Sequence, residues 1–334
     1  MPMDEALEDI VERCLGRKRI SIAEREYMMS FPEGSEESGY IISSADAFAK
    51  RRCGGIGEIG VQIGVIVGPC YVDCGFCNFA YSVTDVEDYT MGDSELKAYL
   101  DRISDGGIVS SVSLMTIHDP DMDDYLHIVE TARSILPECV EICANTGDLD
   151  PGEAKDLRKA GITSAYHAVR LGESIDNRLE PLGRFDTIRN LRDAGIDVAA
   201  GVEPIGPEHT VDEICRLYED MMDAGCSCCS ASARVPVPGT RLFSAGSISD
   251  RRLRQIRSSL MLSTAYRNDM ELGFYGGFYG GFNRFYGEYS NSPKDREELS
   301  ETGMSHTVRW ALERLSAEGY GKVRKADGSI VPVP

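Results

Sequence analysis

Residues 61–79 read VQIGVIVGPCYVDCGFCNF, so a β-branched run from Val61 to Val67 passes directly into a glycine-flanked loop carrying Cys70, Cys74 and Cys77. Short apolar runs of this kind, bounded by Gly or Pro, read as buried strands. Five more follow at Ile108 to Met115, Val140 to Ala144, Ser164 to Val169, Asp197 to Val202 and Ser230 to Val235. Between them lie stretches with helical spacing, for example Ser94 to Ile103, Tyr125 to Ile135, Gly152 to Ala160 and Thr187 to Ala194. Strand and helix alternating in this way imply a parallel sheet with helical crossovers. Six such units predict an α/β fold of TIM-type (β/α) barrel form, full or partial, with chemistry at the C-terminal ends of the strands. The seventh and eighth strands are expected at Leu260 to Ala265 and near Leu272.

Upstream, apolar residues at helical spacing (Leu7, Ile10, Val11 and Leu15, then Ile22 to Met29, then Ile41 to Phe48) predict an N-terminal helical extension over residues 1–55. The barrel core is expected over 56–270. Residues 271–334 hold a Gly/aromatic segment and a C-terminal helix that complete or cover the barrel. Within that segment, residues 273–287 read GFYGGFYGGFNRFYG, with the FYGG unit twice. They form either a surface loop whose aromatics pack locally or a lid that keeps water from the barrel mouth.

Composition bounds the function. The chain has 334 residues, 42% hydrophobic and 27% charged, with 55 acidic against 35 basic residues and a net charge of −20. Nucleic-acid binding needs a basic stripe, which scattered basic residues do not supply. No apolar run approaches the ~18 residues of a membrane span, and the first residues are acidic where a signal peptide is basic. The expectation is a cytoplasmic protein without a membrane or nucleic-acid partner.

Eleven cysteines are many for such a chain; in a reducing compartment they are free, metal-bound or catalytic. Cys70, Cys74 and Cys77, spaced by four and three, can wrap one metal cluster from a short loop, with Gly68 and Gly75 allowing the tight turn. A structural zinc would want a fourth protein ligand, and no Cys or His lies close by. Three cysteines on a [4Fe–4S] cluster leave one iron open. Three unligated loop thiols are the remaining alternative.

The CxxxCxxC spacing resembles the signature of the radical S-adenosylmethionine (radical SAM) superfamily. The resemblance implies that S-adenosylmethionine chelates the open iron and is cleaved to a 5′-deoxyadenosyl radical. Phe76 matches an aromatic that lies near the adenine; it also packs the loop in any reading. Farther along, the chain resembles the biotin-synthase-like group, with methylornithine synthase and hydrogenase-cofactor maturases, to about residue 270. In YHAVRLGES, Arg170 and Glu173 match polar positions that hold the methionine and ribose parts of the cofactor, against the alternative of a surface ion pair. In PLGRFDTIRNLRDAGI, Arg184 matches an arginine on the cofactor's carboxylate, while Asp186 and Thr187 have N-cap chemistry for the helix. In GVEPIGPEHT, Gly201 and Gly206 let the backbone approach the adenosine, Ile205 would meet the adenine face, and Glu203 or Glu208 would cap or bind ribose; a turn without ligand contact competes. In SASARVPVPGTRL, Val235 or Val237 would line the adenine pocket. One place departs: Met115, Thr116 and His118 of SLMTIHDP stand where relatives bind the amino group with a Gly-Gly-Glu type segment.

Biotin synthase itself holds a second cluster inside the barrel. Here only Cys143 matches a ligand position, with Ser111, Ser113, Ala199 and Ala200 at others and Arg267 near the family arginine. Cys226, Cys228 and Cys229 form a rival set at the strand's wrong end, or pack as small apolar residues. The resemblance therefore implies a radical SAM enzyme of cofactor or modified amino-acid biosynthesis with a small-molecule substrate. Reduced flavodoxin or ferredoxin would donate electrons. A sulfur-inserting synthase with an auxiliary iron–sulfur cluster and a non-catalytic iron–sulfur carrier are the alternatives. Tyr266, Arg267, Asn283 and Arg284 are the candidate substrate residues.

Overall fold

The expected strands at Val61, Ile108, Val140 and Asp197 place branched side chains at alternate positions, and this alternation decides which face meets the helices. The computed structural model describes residues 3–267, 283–290 and 307–333. Strand β1 (Ile56–Val67) is the hub of the sheet. β2 (Tyr89–Thr90) pairs antiparallel with its C-terminal end. On one side follow β3 (Val109–Thr116), β4 (Glu141–Asn145), β5 (Ser164–Tyr166), β6 (Asp197–Ile205) and β7 (Cys228–Ala233), each parallel to the one before. On the other side β8 (Arg284–Ser290) runs parallel to β1, as does β9 (Lys322–Arg324) at the start of β1; β10 (Ile330–Pro332) returns antiparallel to β9. The result is an α/β fold with a mostly parallel, TIM-type sheet. Among the described residues β7 and β8 do not pair.

Outward-facing Ile59, Val61, Ile63 and Val65 of β1, Val112 and Leu114 of β3, Ile142 of β4 and Val198 and Val202 of β6 are buried in one continuous core with the surrounding helices. Those helices are α4 (Asp93–Ser104), α5 (Met122–Ile135), α6 (Pro151–Ala160), α7 (Pro181–Asp193) and α8 (Val211–Asp223). Caps fix where several begin. Asp150 accepts from Gly152 N and Glu153 N while Glu153 returns a bond to Asp150 N, and Thr210 and Glu213 do the same for α8. Helix α7 corrects the expected cap at Asp186 and Thr187. It starts at Pro181, where a missing N–H costs nothing, and Asp186 lies inside it, paired at the surface with Arg189.

The N-terminal helices α1 (Glu5–Leu15), α2 (Ile22–Ser30) and α3 (Glu36–Arg52) form a separate apolar cluster that shares Leu262 with α9 (Asp250–Ser263). Arg25 locks this layer on: it is 2% exposed, its Nη2 is 2.7 Å from Glu219 Oε2, and its Nε donates to Ser263 Oγ at 3.0 Å. Leu260 to Ala265 is therefore no strand; the run closes α9 and buries Leu260 and Leu262. Short apolar runs fit either element by period alone. The expected strand near Leu272 and most of the FYGG repeat lie outside the described residues. Its last residues enter β8, which stands directly against β1, and α10 (Val308–Ala317) packs behind it.

Candidate active site at the C-terminal mouth of the barrel

The cysteine loop leaves β1 and is held by backbone bonds rather than by regular structure. Cys70 N donates to Phe79 O at 2.7 Å, Tyr81 N to Cys70 O at 3.1 Å and Cys77 N to Cys74 O at 3.1 Å. Asp73 takes φ +55° between the first two cysteines, and its side chain accepts from Ser82 N. Two other loops stitch onto it. Gly75 N donates to Asp176 O at 2.7 Å after β5, and Leu242 N donates to Gly75 O at 2.8 Å after β7.

Cys70, Cys74 and Cys77 all line one cavity of about 280 Å³ at this mouth. All three are free thiols. Burial pushes Cys74 up to about 12, with the other two thiols adding to the shift and the Arg170 guanidinium opposing it. Phe79 N lies 3.4 Å from Cys77 Sγ, an N–H directed at sulfur. Among the described residues no three His, Cys, Asp or Glu side chains converge as ligands of a single ion.

Phe76, Met115, Thr116, His118, Arg170, Arg184, Glu203, Val235 and Val237 share the cavity wall with the cysteines. Arg170 and Glu173 do not make the surface ion pair considered as their alternative. Arg170 Nε sits 3.8 Å from Glu203 Oε1. Glu173 is 6% exposed, and its Oε1 accepts from Arg170 N at 3.1 Å. Its Oε2 is buried without a hydrogen-bond partner among the described residues. Burial by itself would lower Arg170, but Glu203, Cys74 and Glu173 outweigh it and hold the guanidinium firmly charged. Ile205, at the end of β6, lies in the main core and is not on the cavity wall. Glu208 is not there either, because Arg234 claims it: Arg234 Nη2 is 2.8 Å from Glu208 Oε2, its Nη1 bonds the second oxygen, and Arg234 is 1% exposed.

Asp148, after β4, is a hub that sequence reading missed. Arg184 Nη1 donates to its Oδ1 at 2.7 Å, His167 Nε2 is 3.4 Å from the same oxygen, and His118 Nε2 is 3.6 Å from Oδ2. Arg184 Nε and Nη2 both donate to Ala168 O, at 3.2 and 2.9 Å. Burial, then the nearby Arg184 charge, drives His167 down to about 3, so it is neutral at neutral pH. Burial also pushes His118 down. Gln62, Asn145 and Tyr166 complete the polar wall. The available signal was positional: EICANTGD and SAYHAVR both carry polar residues just past a strand's C-terminal end.

A family model described as the radical SAM superfamily matches residues 65–221, from β1 through the cysteine loop to α8. The chain carries a radical SAM domain. This domain is 23% identical over 212 residues to a biotin synthase of Trichodesmium erythraeum (strain IMS101), covering 60% of this chain and 57% of that one. It is 28% identical over 196 residues to a biotin synthase of Chlorobium luteolum (strain DSM 273 / BCRC 81028 / 2530), covering 54% and 58%. The chain spans about half the length of the curated relatives it matches first. The fold matches the crystal structure of methylornithine synthase (PylB) with a TM-score of 0.77 at 17% identity, over 93% of this chain and 96% of that one. It matches the FeFe-hydrogenase maturase HydG from Carboxydothermus hydrogenoformans with a TM-score of 0.76 at 15% identity, over 95% and 79%. The radical SAM domain is thus similar in sequence to biotin synthases and in fold to methylornithine synthase and HydG, and the family implies a [4Fe–4S] cluster and S-adenosylmethionine.

The remaining candidates sit away from the cysteine loop of the radical SAM domain. Cys143 faces a smaller inner space with Ser113, Ser164 and Ala199, and among the described residues it is the one thiol lining that space. Arg267 is remote from it: its guanidinium lies beside Met222 O and influences Cys226, at the opposite end of the barrel. Cys226 packs in the outer core and Cys228 in an inner cluster with Ala199 and Tyr286. Asn283 and Arg284 begin β8 on the barrel floor, where Arg284 bonds Glu58. Tyr266 lies on the outside against Arg19. Among the described residues no helix is long and apolar enough to cross a membrane.

Proposed function

We propose that this chain is a radical SAM enzyme that abstracts hydrogen from a small substrate enclosed in the barrel. Cys70, Cys74 and Cys77 would hold the [4Fe–4S] cluster. When bound and reduced, the cluster supplies the electron that splits the sulfonium of S-adenosylmethionine into methionine and a 5′-deoxyadenosyl radical, which takes one hydrogen atom from the substrate. Arg170, next to Cys74, favours thiolate over thiol and offers a fixed cation to a carboxylate at the mouth. Glu173 Oε2, buried and lacking a partner among the described residues, is an acceptor for a ribose hydroxyl. Arg184, oriented by Asp148 and the Ala168 carbonyl, presents its charge to the same cavity. Phe76 and Val235 supply apolar wall for the adenine, and Ile205 would back the β6 wall from behind.

The observation that carries this reading is the meeting of the cysteine triplet with Arg170, Arg184 and Glu203 around one cavity at the strands' C-terminal ends. A sulfur-inserting reaction is not favoured, since among the described residues Cys143 is the one thiol lining the inner space. Reduced flavodoxin or ferredoxin would deliver the electron in a cytoplasmic setting, and the product would serve cofactor or modified amino-acid biosynthesis. Anaerobic reconstitution followed by reduction with S-adenosylmethionine tests the proposal. We expect about four irons per chain and release of 5′-deoxyadenosine, both lost in Cys74→Ala. A cluster without deoxyadenosine would make the protein a carrier, and six or eight irons would revive the sulfur-inserting alternative.

A further inference from the structure

Packed β/α barrels fill their interiors with layers of Val, Ile and Leu. Here Ile59, Val61, Ile63 and Val65 of β1, Val112 and Leu114 of β3 and Ile142 of β4 face the helices, and the opposite faces carry Gly60, Gln62, Ser111, Ser113 and Cys143. That these point inward is fixed by contacts. A Cβ on Gly60 would stand 2.4 Å from the Tyr286 ring and 2.7 Å from Ser111 Oγ. Gln62 and Tyr166 line both the main cavity and an inner chamber of about 20 Å³ bounded by Ser113, Cys143, Ser164 and Tyr286. That volume holds about one water-sized group. Among the described residues the Ser111 hydroxyl, fully buried on this face, meets no hydrogen-bond partner.

Charges facing the interior are matched before any ligand arrives. Glu58 takes Arg284 at 2.6 Å and Arg324 at 3.4 Å. Glu141 takes Ser164 Oγ at 2.5 Å and Arg284 at 3.5 Å. Glu203 faces Arg170. Deeper than the Arg170 contact given to the cofactor, an ionic ligand would have to break one of the Glu58 or Glu141 pairs in a low-dielectric space, at a cost of several kcal/mol per uncompensated ion. Amide, phenol and hydroxyl groups instead accept and donate to neutral partners without separating charge.

We propose that the barrel interior below the cysteine loop binds a neutral small molecule bearing hydroxyl or amide groups, held by Gln62, Asn145, Tyr166 and Ser232, with one polar group reaching into the inner chamber. This rests on the radical SAM reading, and its test separates the two. A deproteinised small-molecule extract of the source cells is split into an anion-exchanger eluate, a cation-exchanger eluate and the flow-through of both columns. Each fraction is added to reduced, cluster-loaded enzyme with S-adenosylmethionine, and deoxyadenosine release is followed. The flow-through should accelerate release at least tenfold over buffer. Acceleration confined to either eluate, or absent from the flow-through, overturns the proposal. If no fraction, and not buffer alone, gives any deoxyadenosine, the radical SAM reading fails instead. Gln62→Leu should raise the flow-through dose for half-maximal acceleration about tenfold, the worth of one buried hydrogen bond, while cluster absorbance is kept. Tyr166→Phe, which keeps the ring, provides the same readout should Gln62→Leu not fold. Doses unchanged in whichever variant folds would also overturn the assignment.

Discussion

Alkylation of the metal-free protein should show how strongly the fold restrains its cluster thiols. Burial raises Cys74 from the ordinary 9.0 to about 12. At pH 8 that shift cuts the thiolate fraction about a thousandfold. A more basic thiolate is a better nucleophile, which returns about 15- to 30-fold. The net expectation is that Cys74 reacts with iodoacetamide about 30- to 60-fold more slowly than an ordinary thiol, before any steric shielding is counted. Exposed Cys139 serves as the internal reference for reagent access. Timed quenching, digestion and peptide mass spectrometry give both rates in one sample, and unfolding in urea should bring them together. A Cys74 rate within threefold of Cys139 in the folded protein would refute the reasoning, because the thiol would then be neither buried nor protonated. The same logic makes cluster assembly a proton-releasing step, so reconstitution should quicken as pH rises from 7 to 9.

Glu208→Ala removes the carboxylate on the fully buried Arg234. Discounted for the 43% exposure of the Glu208 side chain, the expected loss is about 2 kcal/mol, read as a lower urea midpoint. Gly147→Ala would set a Cβ 1.7 Å from His118 O, so we expect a loss of about 3 kcal/mol or more and a deformed cavity, seen as poor cluster incorporation. In the metal-free protein, burial raises Cys14, Cys143, Cys215 and Cys226 to about 12, as it does Cys74. Their stabilising effect is complete below the unfolded value near 9 and is lost as pH climbs from about 9 towards about 12. Each should subtract about 1.4 kcal/mol per pH unit in that window, which denaturation at pH 8, 9 and 10 measures.

Much of the fold is legible because the face of each strand that packs against helices must be branched and apolar; Ile59, Val61, Ile63 and Val65 advertise β1 directly. The cysteine loop is legible because ligands on one short loop keep a fixed sequence spacing. Other features depend on contacts across the chain. Leu260 to Ala265 looks like a strand until α9 is seen packing that run on the N-terminal helices. Glu208 looks available until Arg234, twenty-six residues on, takes both its oxygens. Asp148 carries no motif at all; its importance comes from Arg184, His167 and His118, which arrive from three other segments.

The seam between β7 and β8 has a consequence for how this barrel can vary. A strand edge left open invites pairing with a foreign strand, yet here Arg257 from α9, 4% exposed, donates its Nε to Ala231 O on β7 at 2.7 Å. Burial lowers that guanidinium to about 10, so it stays charged while donating to a β7 carbonyl that meets no strand on that side among the described residues. From β8 through β1 to β7 the described strands are joined by backbone ladders that no single substitution removes. At the β7 edge a side chain takes the carbonyl, so a change at Arg257 loosens the wall there while leaving the described strands and the loop of Cys70, Cys74 and Cys77 in place.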